Sequence, residues 1–166
     1  MPACDRGGAY ASVPYVSQAG HGRLTAPETI AIMLDPSATL DRHYEGEAAT
    51  LRAARRDVLS WLDERGADEA AKQRAALIVS ELATNALQAS PGQTYTVQVV
   101  FVDDEHAAIS VRNHTSGGRP PAHEHWHLTD RTSLRGRGLA IVKSLSEDVT
   151  VDSDHGEVVV TARIRL

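Results

Sequence analysis

Cysteine is almost absent from this sequence: among its 166 residues, Cys4 is the only one. A single cysteine excludes a disulfide within the chain and a zinc site built from cysteines. No apolar run approaches the roughly 18 residues that a membrane span requires, and the N-terminus lacks the charged-then-apolar pattern of a secretory signal. These absences predict a cytoplasmic protein that does not act at a membrane.

Aromatic residues and basic charge are also scarce. Aromatics make up 4% of the sequence, so Leu, Val, Ile and Ala must fill the core that a hydrophobic content of 42% allows. The formal net charge is −5, whereas proteins that grip nucleic-acid backbone carry a basic face. We therefore expect no direct nucleic-acid binding. The densest basic stretch, Arg52 to Arg56, is interpreted as the solvated side of a helix.

The chain divides into a flexible N-terminal extension at 1–36 and one domain at 37–166. Within the extension, 28–34 is either a strand or a docked tail. A stretch without periodicity at 114–135 is long for a compact domain, which is typical of a functional lid. Periodicity and turn signals predict, in order, a strand at 38–44, helices at 47–65 and 69–89 (the second capped by Asp68), strands at 94–102 and 106–113, a helix from about Gly138, and strands at 148–153 and 157–165. This order predicts an α+β, two-layer sandwich with helices on one face of a mostly antiparallel sheet.

Two polar side chains on the second helix form the first candidate site. Glu81 and Asn85 are four residues apart, so they point the same way from a helix. The amide oxygen could ligate Mg²⁺, and the carboxylate could orient or deprotonate a nucleophile. The alternative is a hydrogen-bonded pair on the helix face, worth only about 0.2–0.5 kcal/mol.

A glycine-rich turn at 136–138 is the second candidate. Gly136 and Gly138 flank an arginine directly before an apolar helix. Glycine lets the backbone approach a phosphate, and a helix N-terminus offers free N–H groups. The alternative is an ordinary glycine-rich loop that enters a helix.

Together these segments resemble two motifs of a known superfamily. Ser-Glu-Leu-Ala-Thr-Asn-Ala at 80–86 resembles the N-box of the GHKL (histidine kinase-like) ATPases, and Gly-Arg-Gly-Leu-Ala-Ile-Val at 136–142 resembles their G2 box. The boxes follow in the expected order, separated by about fifty residues. The resemblance is nearest to the bacterial anti-sigma factor serine/threonine kinases, whose first helix has a segment like Ala53 to Arg56, and it covers about 38–166.

The resemblance implies a Bergerat-type fold that binds ATP and Mg²⁺. By position, Asn85 resembles the Mg²⁺ ligand, Glu81 resembles the general base, and the loop before Gly136 resembles the mobile ATP lid. The residues of the implied cofactor site are Asn85, Asn113, Gly117, Arg135, Gly136, Arg137, Gly138 and Leu139.

One motif departs from the family pattern. The family's G1 box has an aspartate that accepts a hydrogen bond from the adenine amino group, and here Asn113 stands at that position. Thr115 replaces the first glycine, Gly117 matches the second, and Gly156 begins the last box without its usual threonine. The Asn113 amide oxygen can still accept the bond, but without charge assistance, which weakens binding by about 1 kcal/mol.

Other residues are assigned less specific functions. His123, His125 and His127 would share one face of an extended segment, but we favour a polar lid over a metal site because no helix fixes their geometry. Trp126 and Trp61 are interpreted as packing residues. Ser80 and Thr84 are interpreted as helix residues with local hydrogen bonds.

Three functional hypotheses follow. In the first, the chain phosphorylates a serine of an anti-sigma antagonist and sequesters a sigma factor, with a homodimer as a plausible assembly. In the second, the fold is kept as a non-catalytic partner-binding module, because Asn113 and Thr115 weaken nucleotide binding. The third, a fragment of a two-component histidine kinase, is weaker because no phospho-accepting helix precedes the domain.

Overall fold

The computed structural model describes residues 39–115 and 137–166. The predictions for the N-terminal extension, for the histidine segment and Trp126, and for most of the lid lie outside these residues. In chain order the elements are β1 (Thr39–Tyr44), α1 (Thr50–Asp63), α2 (Glu69–Ala89), β2 (Tyr95–Asp103), β3 (His106–His114), α3 (Arg137–Leu145), β4 (Asp148–Asp154) and β5 (Glu157–Arg165).

The five strands form one sheet in the order β1-β2-β3-β5-β4, and all neighbouring pairs are antiparallel. The register places Asn113 at the end of β3 between Tyr95 and Val158. The β4–β5 hairpin turns through His155 and Gly156, which both have positive φ (46° and 84°). The predicted α+β architecture is therefore confirmed.

The helix signals in the sequence act as predicted except in α1, which ends at Asp63, two residues before the predicted bound at 65, and also starts late. The Asp68 side chain accepts a hydrogen bond of 2.6 Å from the Ala71 N–H, and so caps α2. Gly66, with φ of 76°, follows the end of α1. However, α1 begins at Thr50, three residues later than expected. The chain before it is turned, since the Thr50 N–H bonds to the Glu47 carbonyl at 3.0 Å.

The core lies between the helices and one face of the sheet. The predicted stripe of α2 is buried, as are alternate residues of β2 and β3. Trp61 is buried and packs on Phe101 with ring centroids 4.9 Å apart, which confirms its assignment to packing. The arginines at 52, 55 and 56 are exposed, as expected for the solvated side of α1. Within 39–115 and 137–166, none of the helices has the length and apolar character of a membrane span. The core includes Leu40, Val58, Leu62, Ile78, Val79, Leu82, Val97, Val99, Ile109, Val111, Val142 and Ile164.

Tyr44 links the edge strand β1 to α1. Its ring is 8% exposed and stacks on Tyr95 at 5.3 Å, and its hydroxyl donates to an Asp57 carboxylate oxygen at 3.0 Å. Burial is the main factor that raises the pKa of Tyr44, and the hydrogen bond to Asp57 raises it further. The pKa of Tyr95 is also raised by burial, partly offset by its hydrogen bond with Thr50.

These raised pKa values predict a loss of stability in alkali. A group whose pKa is higher in the folded state stabilises the fold fully below its unfolded pKa, about 10 for tyrosine, and this contribution is lost as the pH rises towards the folded value. We expect the free energy of unfolding to fall by about 1–2 kcal/mol between pH 10 and pH 11.5 from Tyr44 alone. Urea titrations across this range should show a shallower fall in Tyr44→Phe than in the wild type. Equal slopes would contradict the prediction.

Candidate functional site

The site begins with a contact between α2 and α3. Glu81 is half-buried on α2, and Gly138 lies in the first turn of α3. A Cβ atom built on Gly138 would lie 3.2 Å from the Glu81 carboxyl carbon and would collide with Oε2. With the Glu81 carboxylate in this position, only glycine fits at position 138 without displacing it. Two residues 57 positions apart in the sequence, each from a different motif, are thus brought together.

Asn85 lies one helical turn beyond Glu81, about 6 Å along the axis of α2. Its side chain is half-buried, and its buried Nδ2 atom has no hydrogen-bond partner within 39–115 and 137–166. A buried amide donor is costly unless something satisfies it. A phosphate oxygen would satisfy Nδ2, and Oδ1 is the kind of ligand that Mg²⁺ takes. The residues therefore fit ATP and Mg²⁺.

A cage of protein side chains is not needed for this cation. No group of three or more His, Cys, Asp or Glu side chains in the described ranges could hold a metal ion. Mg²⁺ is commonly held by one or two protein ligands together with substrate phosphates and water. One amide oxygen on α2 is therefore a reasonable protein contribution.

The hydroxyls of Ser80 and Thr84, next to Glu81 and Asn85, already donate hydrogen bonds within the helix. Ser80 Oγ donates to the Ala76 carbonyl and Thr84 Oγ1 to the Ser80 carbonyl, each at 2.6 Å. These bonds within the helix confirm the prediction that both hydroxyls bond locally. Glu81 and Asn85 are consequently the side chains of this segment that offer polar groups to a ligand.

Asn113 lies at the C-terminal end of α2. It is 7% exposed, and its Nδ2 donates to Ser90 Oγ at 3.2 Å. Ser90, the C-terminal cap of α2, is 4% exposed and donates its own hydroxyl proton to the His114 carbonyl. Sequence reasoning missed Ser90, because it appears only as the residue before a helix-ending Pro91-Gly92 pair.

The end of β3 is held in place from both sides. The Thr115 N–H donates to the Gly156 carbonyl at 2.7 Å, which ties the chain after Asn113 to the β4–β5 turn. A half-open groove of about 330 Å³ lies beside this strand end. It is lined by Ser90, Pro91, Gln93, His114 and Thr115.

Several predicted site residues cannot be placed. Gly117, Arg135 and Gly136 lie outside the described residues, and for Arg137 only the backbone, at the start of α3, is described. Leu139 is partly buried and packs against the core from α3. The roles assigned to these residues remain predictions.

Comparisons with known proteins agree with this fold. A family model described as "Histidine kinase-like ATPase domain" matches residues 44–164. A comparison with curated proteins gives no match.

Solved structures also resemble the chain. The RsbU and RsbW domains of a Mycobacterium tuberculosis protein align with a TM-score of 0.56 and 19% identity over 76% of this chain. That match spans only 32% of the Mycobacterium chain. The SiaB–SiaC complex from Pseudomonas aeruginosa aligns with a TM-score of 0.60 and 12% identity, over 82% of this chain and 95% of that one. At such identities the likeness shows a shared fold. Since the family model covers most of the sequence, the chain belongs to the histidine kinase-like ATPase family.

Proposed function

We propose that this protein is an anti-sigma factor type regulator that binds ATP with Mg²⁺, phosphorylates a serine of an antagonist protein and sequesters a sigma factor. The observation that carries the proposal is the contact of the Glu81 carboxylate with Gly138, with Asn85 one turn away. The N-box and G2-box resemblances would require this meeting of α2 and α3. A hydrogen-bonded pair on the face of α2 alone would not account for the contact of Glu81 with Gly138 on the opposing helix.

Each residue has a distinct part in the proposed reaction. Bound ATP would supply the phosphoryl group, with Mg²⁺ neutralising its charge. Asn85 would contribute its amide oxygen to the cation and its amide N–H to a phosphate oxygen. Glu81 would accept the proton of the incoming serine hydroxyl on a carboxylate oxygen. The N–H groups of the first turn of α3 point along the helix axis and would bind anionic oxygens.

Partner binding is proposed to use α1 and the sheet edge at β1. Arg52, Arg55 and Arg56 are exposed on this side of α1, with Arg56 paired to Asp57, and β1 is an edge strand of the sheet formed by the described residues. One structural neighbour was crystallised as a two-protein complex, SiaB–SiaC, which supports a partner-binding use of this fold. A sigma factor, an antagonist and a second copy of the chain are the proposed partners.

A second candidate function is a partner-binding module that has lost nucleotide binding. The observation in its favour is Asn113, an uncharged residue at the position of the family's adenine-binding aspartate. In that case the regulator would act by contact alone.

Calorimetric titration with ATP and Mg²⁺ distinguishes the ATP-dependent regulator from the binding module. Saturable binding in the micromolar range is expected for the proposed regulator, whereas absence of heat at millimolar ATP would leave only the binding module. A Glu81→Gln protein, titrated in parallel, should bind with an affinity within a few-fold of wild type, because the base acts on the hydroxyl and not on the nucleotide. A transfer assay with labelled ATP and the antagonist then tests catalysis.

A further inference from the structure

Two polar residues stand out because they are buried together. Among residues 39–115 and 137–166, Ser90 and Asn113 are the buried polar residues apart from the aromatic ones, at 4% and 7% exposure. They lie 23 residues apart in the sequence and are joined by the bond from Asn113 Nδ2 to Ser90 Oγ at 3.2 Å. A buried polar group destabilises the folded state unless its hydrogen bonds are made.

The direction of these bonds follows from proton counting. A serine hydroxyl has one proton to donate, and that of Ser90 goes to the His114 carbonyl. Towards Asn113 the Ser90 oxygen can then only accept. Asn113 must therefore turn its NH₂ group to Ser90, which fixes the amide orientation and leaves Oδ1 as the free end of the amide.

Ser90 itself is held firmly. Its backbone N–H donates to the Ala86 carbonyl at 3.1 Å, and its carbonyl accepts from the Gln93 N–H at 3.1 Å. Pro91 restricts the backbone directly after it. The hydroxyl is thus presented from a fixed position to the end of β3.

We propose that Ser90 is a positioning residue for the binding of the nucleotide base. It ensures that Asn113 offers the base a hydrogen-bond acceptor and not a donor. It holds the Asn113 amide with its oxygen towards the base, so that the uncharged residue performs the task of the family's aspartate. The base selected is then one with an exocyclic amino donor, as in adenine, over one with a carbonyl at the same position, as in hypoxanthine. This inference rests on the proposed nucleotide binding.

An asparagine at this position needs a partner such as Ser90, whereas an aspartate does not. An aspartate presents two acceptor oxygens and requires no orientation, whereas an asparagine can rotate to present either a donor or an acceptor. A freely rotating Asn113 could therefore bind an amino group or a carbonyl almost equally well. The hydroxyl of Ser90 removes one of these two orientations.

The experiment compares the affinities of ATP and inosine triphosphate, each with Mg²⁺, by calorimetry. The two nucleotides differ in the amino group at C6, which is a carbonyl in inosine, and in the adjacent N1, which accepts a hydrogen bond in adenine and carries a proton in hypoxanthine. Both differences are the same for every variant, so a change in the ATP preference between variants reports on Asn113. We expect the wild type to prefer ATP by about 10- to 100-fold, because the wrong base leaves two acceptors facing each other. In Ser90→Ala the preference should fall to within about 3-fold, because the amide is free to rotate.

Two sets of variants keep the test independent of folding. In an Asn113→Asp background, Ser90→Ala should leave the ATP preference unchanged, since a carboxylate needs no orientation. Ser90→Thr and Ser90→Val have nearly the same shape, and only the threonine variant keeps the hydroxyl. The threonine variant should retain the preference and the valine variant should lose it, even if Ser90→Ala does not fold.

The outcomes distinguish this inference from the proposed function. A wild type that binds neither nucleotide overturns both. Suppose that the wild type binds ATP and that Ser90→Ala or Ser90→Val keeps the wild-type ratio of ATP to inosine triphosphate affinity, whatever the absolute affinities. This result overturns only the role of Ser90. Equal binding of the two nucleotides by the wild type also overturns it.

Discussion

Replacing Glu81 by alanine or glutamine is expected to slow phosphoryl transfer by about 10²–10⁴-fold while leaving ATP affinity within a few-fold of wild type. A general base lowers the barrier only when the serine hydroxyl loses its proton, so its removal changes the rate and not the binding of the nucleotide. Glutamine is the sharper variant. It keeps the size of the side chain beside Gly138 and removes only the ability to accept the proton.

The measurement is a transfer assay at saturating ATP and antagonist, with nucleotide affinity determined separately. Glu69→Gln is a matched control, because Glu69 is an exposed carboxylate in the first turn of the same helix and pairs with Lys72 at 3.2 Å. An exposed pair of this kind contributes little to stability. Transfer by Glu81→Gln at the wild-type rate would remove Glu81 from the role of base. A loss of ATP binding in Glu81→Gln would show that the carboxylate serves the nucleotide instead.

Local signals were sufficient to predict most of the fold. Asp68 marks the start of α2 because its side chain bonds three residues ahead, and Gly66 marks the end of α1 because its backbone has positive φ. The alternation of Val97 and Val99 shows which face of β2 is buried. Such features depend on neighbours in the sequence, and they therefore appear in the sequence itself. The start of α1 was less clear, because Ala49 makes no side-chain cap bond.

The candidate site depends on contacts between distant segments, which spacing alone cannot predict. The shared direction of Glu81 and Asn85 follows from helix geometry, but the approach of Gly138 to Glu81 depends on how α2 and α3 pack. It was anticipated only because two motifs resembled a family in which they meet. Ser90 had no such signal: its importance comes from a hydrogen bond donated to the His114 carbonyl and one accepted from Asn113, and both residues lie on β3.

Gly138→Ala is expected to lower the rate of phosphoryl transfer without lowering the stability of the fold. Alanine favours a helix over glycine by up to about 1 kcal/mol, so the free energy of unfolding should stay the same or rise slightly. The added methyl group would meet the Glu81 carboxylate, whose carboxyl carbon lies 3.2 Å from the new Cβ position. Because this carboxylate is the end of a flexible side chain, it can swing aside at little cost in stability. Displacement of a reacting group by about 1 Å can cost about 10²-fold in rate, and we expect a loss of that size in transfer.

Urea unfolding and the transfer assay should be run on the same preparations. Ser144→Ala, on an exposed position of α3, changes helix propensity without contact to Glu81, and it should leave the transfer rate unchanged. In a Glu81→Gln background Gly138→Ala should cause little further loss, because two changes that act through one group are not additive. A full additional loss would mean that Gly138 acts on the phosphates directly. A fall in stability of several kcal/mol would instead mean that the methyl group meets backbone rather than the carboxylate, since only a rigid obstacle forces the two helices apart.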